Sequence, residues 1–112
     1  MKRFMMGGAV VCALMCGQAE AVETWTACVP VEVATYQSRI HVRCSAAVGG
    51  INFFAASTQD APYAARLLGV LTAAQVAGRT LGILFDPADQ SGVAIGCSVS
   101  DCRLVRAASF GR

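Results

Sequence analysis

The chain has 112 residues, of which 55% are hydrophobic and 14% charged, with a formal net charge of +2. Beyond the first 21 residues, seven arginines stand against six acidic residues, so the net charge there is about +1 and no basic cluster is present. This balance argues against nucleic-acid binding. The remaining 112 minus 21 residues, or 91, fit one domain with a modest core.

The start of the chain has the pattern of a secretory signal peptide. Lys2 and Arg3 precede an uncharged apolar run, and small residues occupy the positions expected before a cleavage site that follows Ala21. The apolar run is shorter than the ~20 residues that a membrane-spanning helix needs. We therefore predict a signal peptide over 1–21 and a mature domain over 22–112, exported to the periplasm or secreted, with no membrane span.

Four cysteines remain in the mature span and form two locally spaced pairs, Cys28 with Cys44 and Cys97 with Cys102. In an exported domain of this size, such pairs indicate disulfide bonds. The alternative is a metal site, but neither pair has the spacing of zinc ligands, and His41 is the only histidine. We predict two disulfides, no metal and no cofactor, and expect the wider Cys28 loop to contribute more stability than the tight Cys97 loop.

Two strands are predicted at the start of the mature span. Residues 25–36 are rich in Thr and Val, and residues 39–44 alternate apolar and polar side chains, so a hairpin is expected. Placing Cys28 opposite Cys44 gives a register in which the numbers of two paired residues sum to 72. If Val29, Val31 and Val33 are to share a face with Ile40 and Val42, that sum must instead be odd. A bulge would resolve this conflict. We place that bulge, or a strand edge, at Pro30, because proline cannot donate to a strand ladder.

A third strand is predicted over 51–56, after the turn formed by Gly49 and Gly50. Its consecutive Phe53 and Phe54 must point to opposite faces, because side chains alternate along a strand. One of the two rings therefore has to find cover outside the main core. An oligomer interface is one such cover, so this pair is a candidate interface.

The clearest helix in the chain lies between Asp60, which can cap its start, and Gly78, which can end it, with leucines at helical spacing. Alternation over 79–85 predicts a fourth strand. A final hairpin is expected over 93–99 and 103–107, clamped by the second cysteine pair, and the tail from Ser109 to Arg112 is expected to fray.

These elements predict an α+β fold that is mainly β, with one helix between the third and fourth strands and two disulfides. The order of strand, strand, strand, helix, strand, strand is that of a small OB-like antiparallel barrel. An open antiparallel sheet with one helix packed across it has the same order, and periodicity does not separate the two.

Three polar residues near the end of the fourth strand, Asp86, Asp89 and Ser91, are candidate contacts for a ligand or partner. A calcium site or an acid pair is one interpretation of them. Asp-Pro and Asp-x-Ser-Gly are, however, ordinary turn formers, and we favour the turn interpretation.

Two aromatic residues, Trp25 and Tyr36, are candidates for stacking on a sugar face, although a lone Trp beside a disulfide is more often a packing residue. His41 lies on the polar side of its strand, and no motif places a serine or cysteine nucleophile near it. We therefore predict that the protein is not an enzyme.

The segment GRTLGILFDP, followed after a gap by GCSVSDC, resembles the second half of the subtilase cytotoxin B subunit family, in which a Gly-led strand, an acid-Pro turn and a Cys-X4-Cys clamp follow a helix. In the first half, a cysteine after the aromatic Trp25, a serine-containing turn and Cys44 with Ser45 agree with that family's other bridge. The resemblance covers roughly Trp25 to Arg103. It implies an OB-type domain that forms a homopentameric ring, binds sialylated glycans and carries a separate enzymatic subunit.

One departure limits what the resemblance transfers. The toxin subunit has a longer segment before its first cysteine, which contributes glycan contacts, whereas the mature span here begins six residues before Cys28. No sugar ligand is therefore assigned by this route, since a shared scaffold does not confer function.

Two hypotheses for the function follow. The first is an exported, non-enzymatic binding module that resembles a ring-forming toxin B subunit and recognises a glycan or a protein partner. The alternative is a small monomeric periplasmic accessory or inhibitor protein that binds another protein through the loop Asp86 to Gly92. A hydrolytic enzyme ranks last.

Overall fold

The computed structural model describes residues 22–110; the predicted signal peptide and the last two residues lie outside the described residues. The described chain forms two sheets, ordered β1-β5-β7 and β2-β3-β4-β6, with one α-helix. The fold is α+β and mainly β, as predicted. In chain order the elements are β1 (Thr24–Cys28), β2 (Pro30–Thr35), β3 (Arg39–Val48), β4 (Ile51–Ser57), α1 (Ala61–Ala77), β5 (Leu81–Phe85), a 3₁₀ helix (Ser91–Ile95), β6 (Cys102–Leu104) and β7 (Ala107–Ser109).

The two sheets do not close into a barrel, so the predicted OB-like barrel is wrong for the described residues. All neighbours pair antiparallel except β4 and β6, which pair parallel. The open-sheet alternative is closer to what is observed, but it did not anticipate a second sheet. The second sheet arises because the chain leaves one sheet after Cys28 and enters the other at Pro30.

This break also corrects the predicted position of the helix. The segment predicted as one strand is two strands, β1 and β2, which belong to different sheets. The helix α1 therefore follows the fourth strand rather than the third. Pro30 opens β2 and has no N–H to continue the ladder of β1, which accounts for the break at this point.

The register between β2 and β3 confirms the odd sum and the bulge. Val33 lies opposite Val42, whereas Pro30 lies opposite Cys44, so the register shifts between Pro30 and Glu32. Cys28 does not lie opposite Cys44 in a ladder, as the first register assumed, because its partner is Leu81 on β5.

Both predicted disulfides are present, Cys28–Cys44 and Cys97–Cys102. The first joins β1 of the three-stranded sheet to β3 of the four-stranded sheet, so it links the two sheets covalently.

The helix forms where its caps predicted it. The Asp60 side chain accepts a hydrogen bond from the N–H of Tyr63 at 3.2 Å, and Gly78 ends the helix in the left-handed conformation with φ +66°. Its buried face carries Ala64, Leu67, Leu71 and Ala74, which pack in the core with residues from both sheets. No helix within residues 22–110 combines the length and the apolar character needed to cross a membrane.

The C-terminal part departs most from prediction. Instead of a hairpin, a 3₁₀ helix precedes the Cys97–Cys102 loop, after which β6 pairs with β4 and β7 pairs with β5. A Cβ at Gly92 would lie 2.8 Å from the Cβ of Cys97, so the 3₁₀ helix packs directly on the disulfide. The expectation of a frayed tail is also wrong at its start, because Ser109 belongs to β7.

Candidate functional site

A groove of about 350 Å³ opens at the three-stranded sheet. Its lining side chains are all uncharged, and they combine aromatic rings with hydroxyl groups. We term it the Trp25 groove; its lining includes Trp25, Thr26, Thr80, Gly82, Ser109 and Phe110.

The position of Trp25 follows from the register of β1 with β5. Trp25 lies opposite Leu84, and Ala27 lies opposite Gly82, so the indole is a diagonal neighbour of this glycine. A Cβ at Gly82 would stand 3.5 Å from Cε3 of the indole, which shows that the ring lies over the glycine backbone. Trp25 nevertheless remains 49% exposed. The indole is therefore supported by its own sheet and still accessible to a ligand.

Ser109 lies opposite Gly82 on the other side of β5. Its Oγ is buried and has no hydrogen-bond partner among the described residues, although the residue lines the groove. The Oγ lies 3.5 Å from the position that a Gly82 Cβ would take, which is the same point that the Trp25 ring approaches. A buried polar group without a partner is rare in proteins and calls for an explanation.

One cation lies close to this groove. The guanidinium carbon of Arg79 is 6.0 Å from the centre of the Phe110 ring, and Phe110 lines the groove. The groove is thus neutral, with an arginine near one end.

A second and smaller cleft, of about 190 Å³, lies between β3, β4 and the Cys97–Cys102 loop. The guanidinium of Arg39 stacks 4.3 Å from the centre of the Tyr36 ring and donates to the carbonyl of Ile95 at 3.3 Å. His41 is buried between the rings of Tyr36 and Phe53, with its Nε2 3.2 Å from a Glu32 carboxylate oxygen. The Tyr36 ring thus packs against Arg39 and His41.

The two consecutive phenylalanines point to opposite faces, as predicted. Phe54 is in the core at 1% exposure and packs edge-on against Phe85, with ring centres 4.9 Å apart. Phe53 is partly buried in a smaller cluster with Ala55 and the Cys97–Cys102 disulfide. The rest of the chain therefore covers most of the Phe53 ring. Phe54 is buried and has no surface available to a partner. An interface that includes Phe53 stays a prediction.

The polar candidates after β5 form turns. The Asp86 carboxylate accepts the N–H of Ala88, and the Asp89 carboxylate accepts the N–H of Ser91, both at 2.9 Å. Arg106 also donates to Asp89 at 2.6 Å. Hydrogen bonds from Ser91, with a smaller contribution from Arg106, hold the pKa of Asp89 below its usual value. These residues therefore fix the loop between β5 and the 3₁₀ helix.

A buried arginine holds this loop from the other side. Arg103 donates from Nε to the carbonyl of Pro87 and from Nη1 to the carbonyl of Val99, each at 2.7 Å. It is 8% exposed and connects the turn after Asp86 to the loop of the second disulfide. No sequence motif marks this role, since the partners are main-chain carbonyls.

Of the five candidate contact residues, only Trp25 lines the Trp25 groove, and the other four lie elsewhere. The sequence analysis missed Ser109, Gly82 and Thr80. Alternation over Ala107–Ser109 is too short to identify a strand, and the pairing of Ser109 with Gly82 is a long-range contact. The sequence feature that could have indicated this site is Gly82 in an otherwise apolar strand. Such a glycine often marks a place where a ligand or another segment of the chain approaches the backbone closely.

No protein-family model matches the chain, and comparison with curated proteins and with solved structures gives no match either.

Proposed function

We propose that this protein is an exported, non-enzymatic binding module that recognises a glycan through the Trp25 groove. The observation that carries the proposal is a half-exposed indole next to a buried serine hydroxyl that has no partner among the described residues. Sugars present an apolar C–H face and hydroxyls that both donate and accept. An aromatic platform flanked by hydroxyl groups complements both features.

The Ser109 hydroxyl argues for a ligand because a buried hydroxyl without a hydrogen-bond partner is energetically unfavourable. A buried hydroxyl without a hydrogen bond costs about 1–3 kcal/mol, and a ligand hydroxyl that pairs with it would remove this cost. The indole of Trp25 and the Ser109 Oγ approach the same point above Gly82. A sugar seated against the indole would therefore come close to the Ser109 Oγ, which lines the same groove.

The charge around the groove favours an acidic sugar. The lining is uncharged, so a neutral ring meets no repulsion, while the Arg79 guanidinium beside Phe110 is placed to attract a carboxylate. Sialylated glycans, which the family resemblance implies, have this chemistry. We expect them to bind more tightly than their neutral counterparts.

A glycan array probed with the mature protein tests the proposal. We expect binding to sialylated glycans, with Trp25→Ala weakening it tenfold or more, or about 1.4 kcal/mol. Tyr36→Ala is the matched control, because Tyr36 is 48% exposed but lies in the turn between β2 and β3, away from the Trp25 groove.

Ser109→Ala separates a ligand role from a structural one. We expect this variant to unfold no more easily than the wild type, because it removes an unpaired hydroxyl, and yet to bind glycan more weakly. A wild-type protein that binds no glycan, or a Trp25→Ala variant that binds like the wild type, would contradict the proposal.

The resemblance also leads us to propose a homopentamer, which is a separate question from the groove. Native mass spectrometry of the mature protein is expected to give five times the monomer mass. A monomer at micromolar concentration would instead favour the accessory-protein alternative and remove the main support for a ring.

A further inference from the structure

The strand β7 lies at an edge of its sheet, directly beside the helix. It pairs with β5 through Ala107 and Ser109, and no described strand pairs with its other side. A groove of about 340 Å³ runs between α1 and the start of β7. An edge strand presents unpaired N–H and C=O groups, so this edge is able to accept another strand.

Four apolar residues line the groove, and a hydrogen bond ties its two sides together. Leu67 and Val70 line it from the helix, and Ala107 and Ala108 line it from β7. The Tyr63 hydroxyl donates to the carbonyl of Val105 at 3.3 Å, which ties the helix to the segment before β7. Burial raises the pKa of Tyr63, in keeping with a hydroxyl that remains a donor. The spacing of helix and strand is thereby set.

The two charged residues that line the groove are both arginines. The guanidinium of Arg66 lies 5.8 Å from the centre of the Tyr63 ring and has no acidic partner within 4 Å among residues 22–110. Arg106 lies at the β7 side and is shared between Glu23 and Asp89. The helix over Ala61–Ala77 contains no acidic residue. An acidic side chain of an occupant is therefore complementary to Arg66.

We propose that the free edge of β7 binds an extended segment of another exported protein, which adds as a strand, places an apolar side chain in the groove and pairs an acidic side chain with Arg66. Main-chain hydrogen bonds to the edge would give affinity, and the groove would give specificity. A second copy pairing through its own β7 fits less well, because residues 105–110 carry no acidic side chain to pair with Arg66.

At the other sheet, the edge strand β2 is less suitable. β2 begins at Pro30 and contains the register shift before Glu32, two features that protect an edge from pairing. β7 carries no proline and no charged residue. The proposal goes beyond glycan recognition and uses different residues.

The test begins by selecting random twelve-residue peptides, displayed on phage, against the mature protein. We expect enriched peptides with alternating apolar residues, at least one Asp or Glu and no proline in the binding core. A synthetic peptide from the selection should shift the amide NMR signals of Ala107–Ser109. Methylation of its backbone nitrogens should lower its affinity at least tenfold, because strand addition needs those donors.

Charge reversal tests the role of Arg66. Arg66→Glu should weaken the selected acidic peptide at least tenfold, whereas Arg43→Glu, on the other sheet, should leave it within twofold. Trp25→Ala should also bind the peptide normally, so failure of the glycan proposal and failure of this one are distinguishable. The proposal is overturned if the selection enriches nothing, if the amide shifts lie away from β7, or if Arg66→Glu binds like the wild type. Protection of β7 amides by self-association without peptide would overturn it as well.

Discussion

Replacing both Cys28 and Cys44 by alanine is expected to lower the free energy of unfolding by about 3 kcal/mol or more. The bridge closes a loop with a sequence separation of 16, for which the chain-entropy relation gives about 3 kcal/mol. Domains of this size are stable by only about 5–15 kcal/mol, so the loss is a large fraction of the total.

The position of the bridge explains why its removal should matter beyond loop entropy. It joins β1 to β3 across two sheets that share no strand pairing among the described residues. Both cysteines are buried, at 1% and 2% exposure, so alanines at these positions would also leave a cavity in the core.

The matched control is the double replacement of Cys97 and Cys102 by alanine. With a separation of 5, the same relation gives about 2 kcal/mol, and the loop also retains the buried contacts of Arg103. Urea unfolding of the two variants, followed by far-UV circular dichroism, measures the difference. Equal losses, or a larger loss for the Cys97 pair, would show that the link between the sheets is not the dominant constraint.

Replacing Phe54 by alanine is expected to cost about 3–5 kcal/mol, because a buried aromatic ring is lost and a cavity remains. Phe54 is 1% exposed and packs edge-on against Phe85 in the core. Phe53→Ala is the natural comparison, since the two residues are adjacent and chemically identical. Phe53 is partly buried against the second disulfide, so we expect its replacement to cost about 1–2 kcal/mol.

The same urea titration checks this pair. We expect the midpoint of Phe54→Ala to fall well below that of Phe53→Ala, with similar slopes. A larger effect at Phe53 would mean that the cluster around Cys97–Cys102 contributes more to stability than the core between the sheets and the helix.

Several features of the fold could be predicted from local sequence. The helix begins after Asp60 and ends at Gly78 because a side-chain cap and a left-handed glycine act within one turn of the helix. The odd register of β2 and β3 follows from alternation, which repeats every two residues. The disulfide pairs were recognisable from spacing alone, since each pair is close in sequence.

The tertiary structure decided which strands pair and which surfaces result. Cys28 lies opposite Leu81, and β6 runs parallel to β4, and neither contact leaves a local pattern. Alternation placed Phe53 and Phe54 on opposite faces but did not say which face the helix would cover. Likewise, Ser109 joins Trp25 at one groove only because both strands flank β5. Caps and periodicity act between neighbours in sequence, whereas pairing and burial depend on contacts between distant segments, and the candidate sites are built from those contacts.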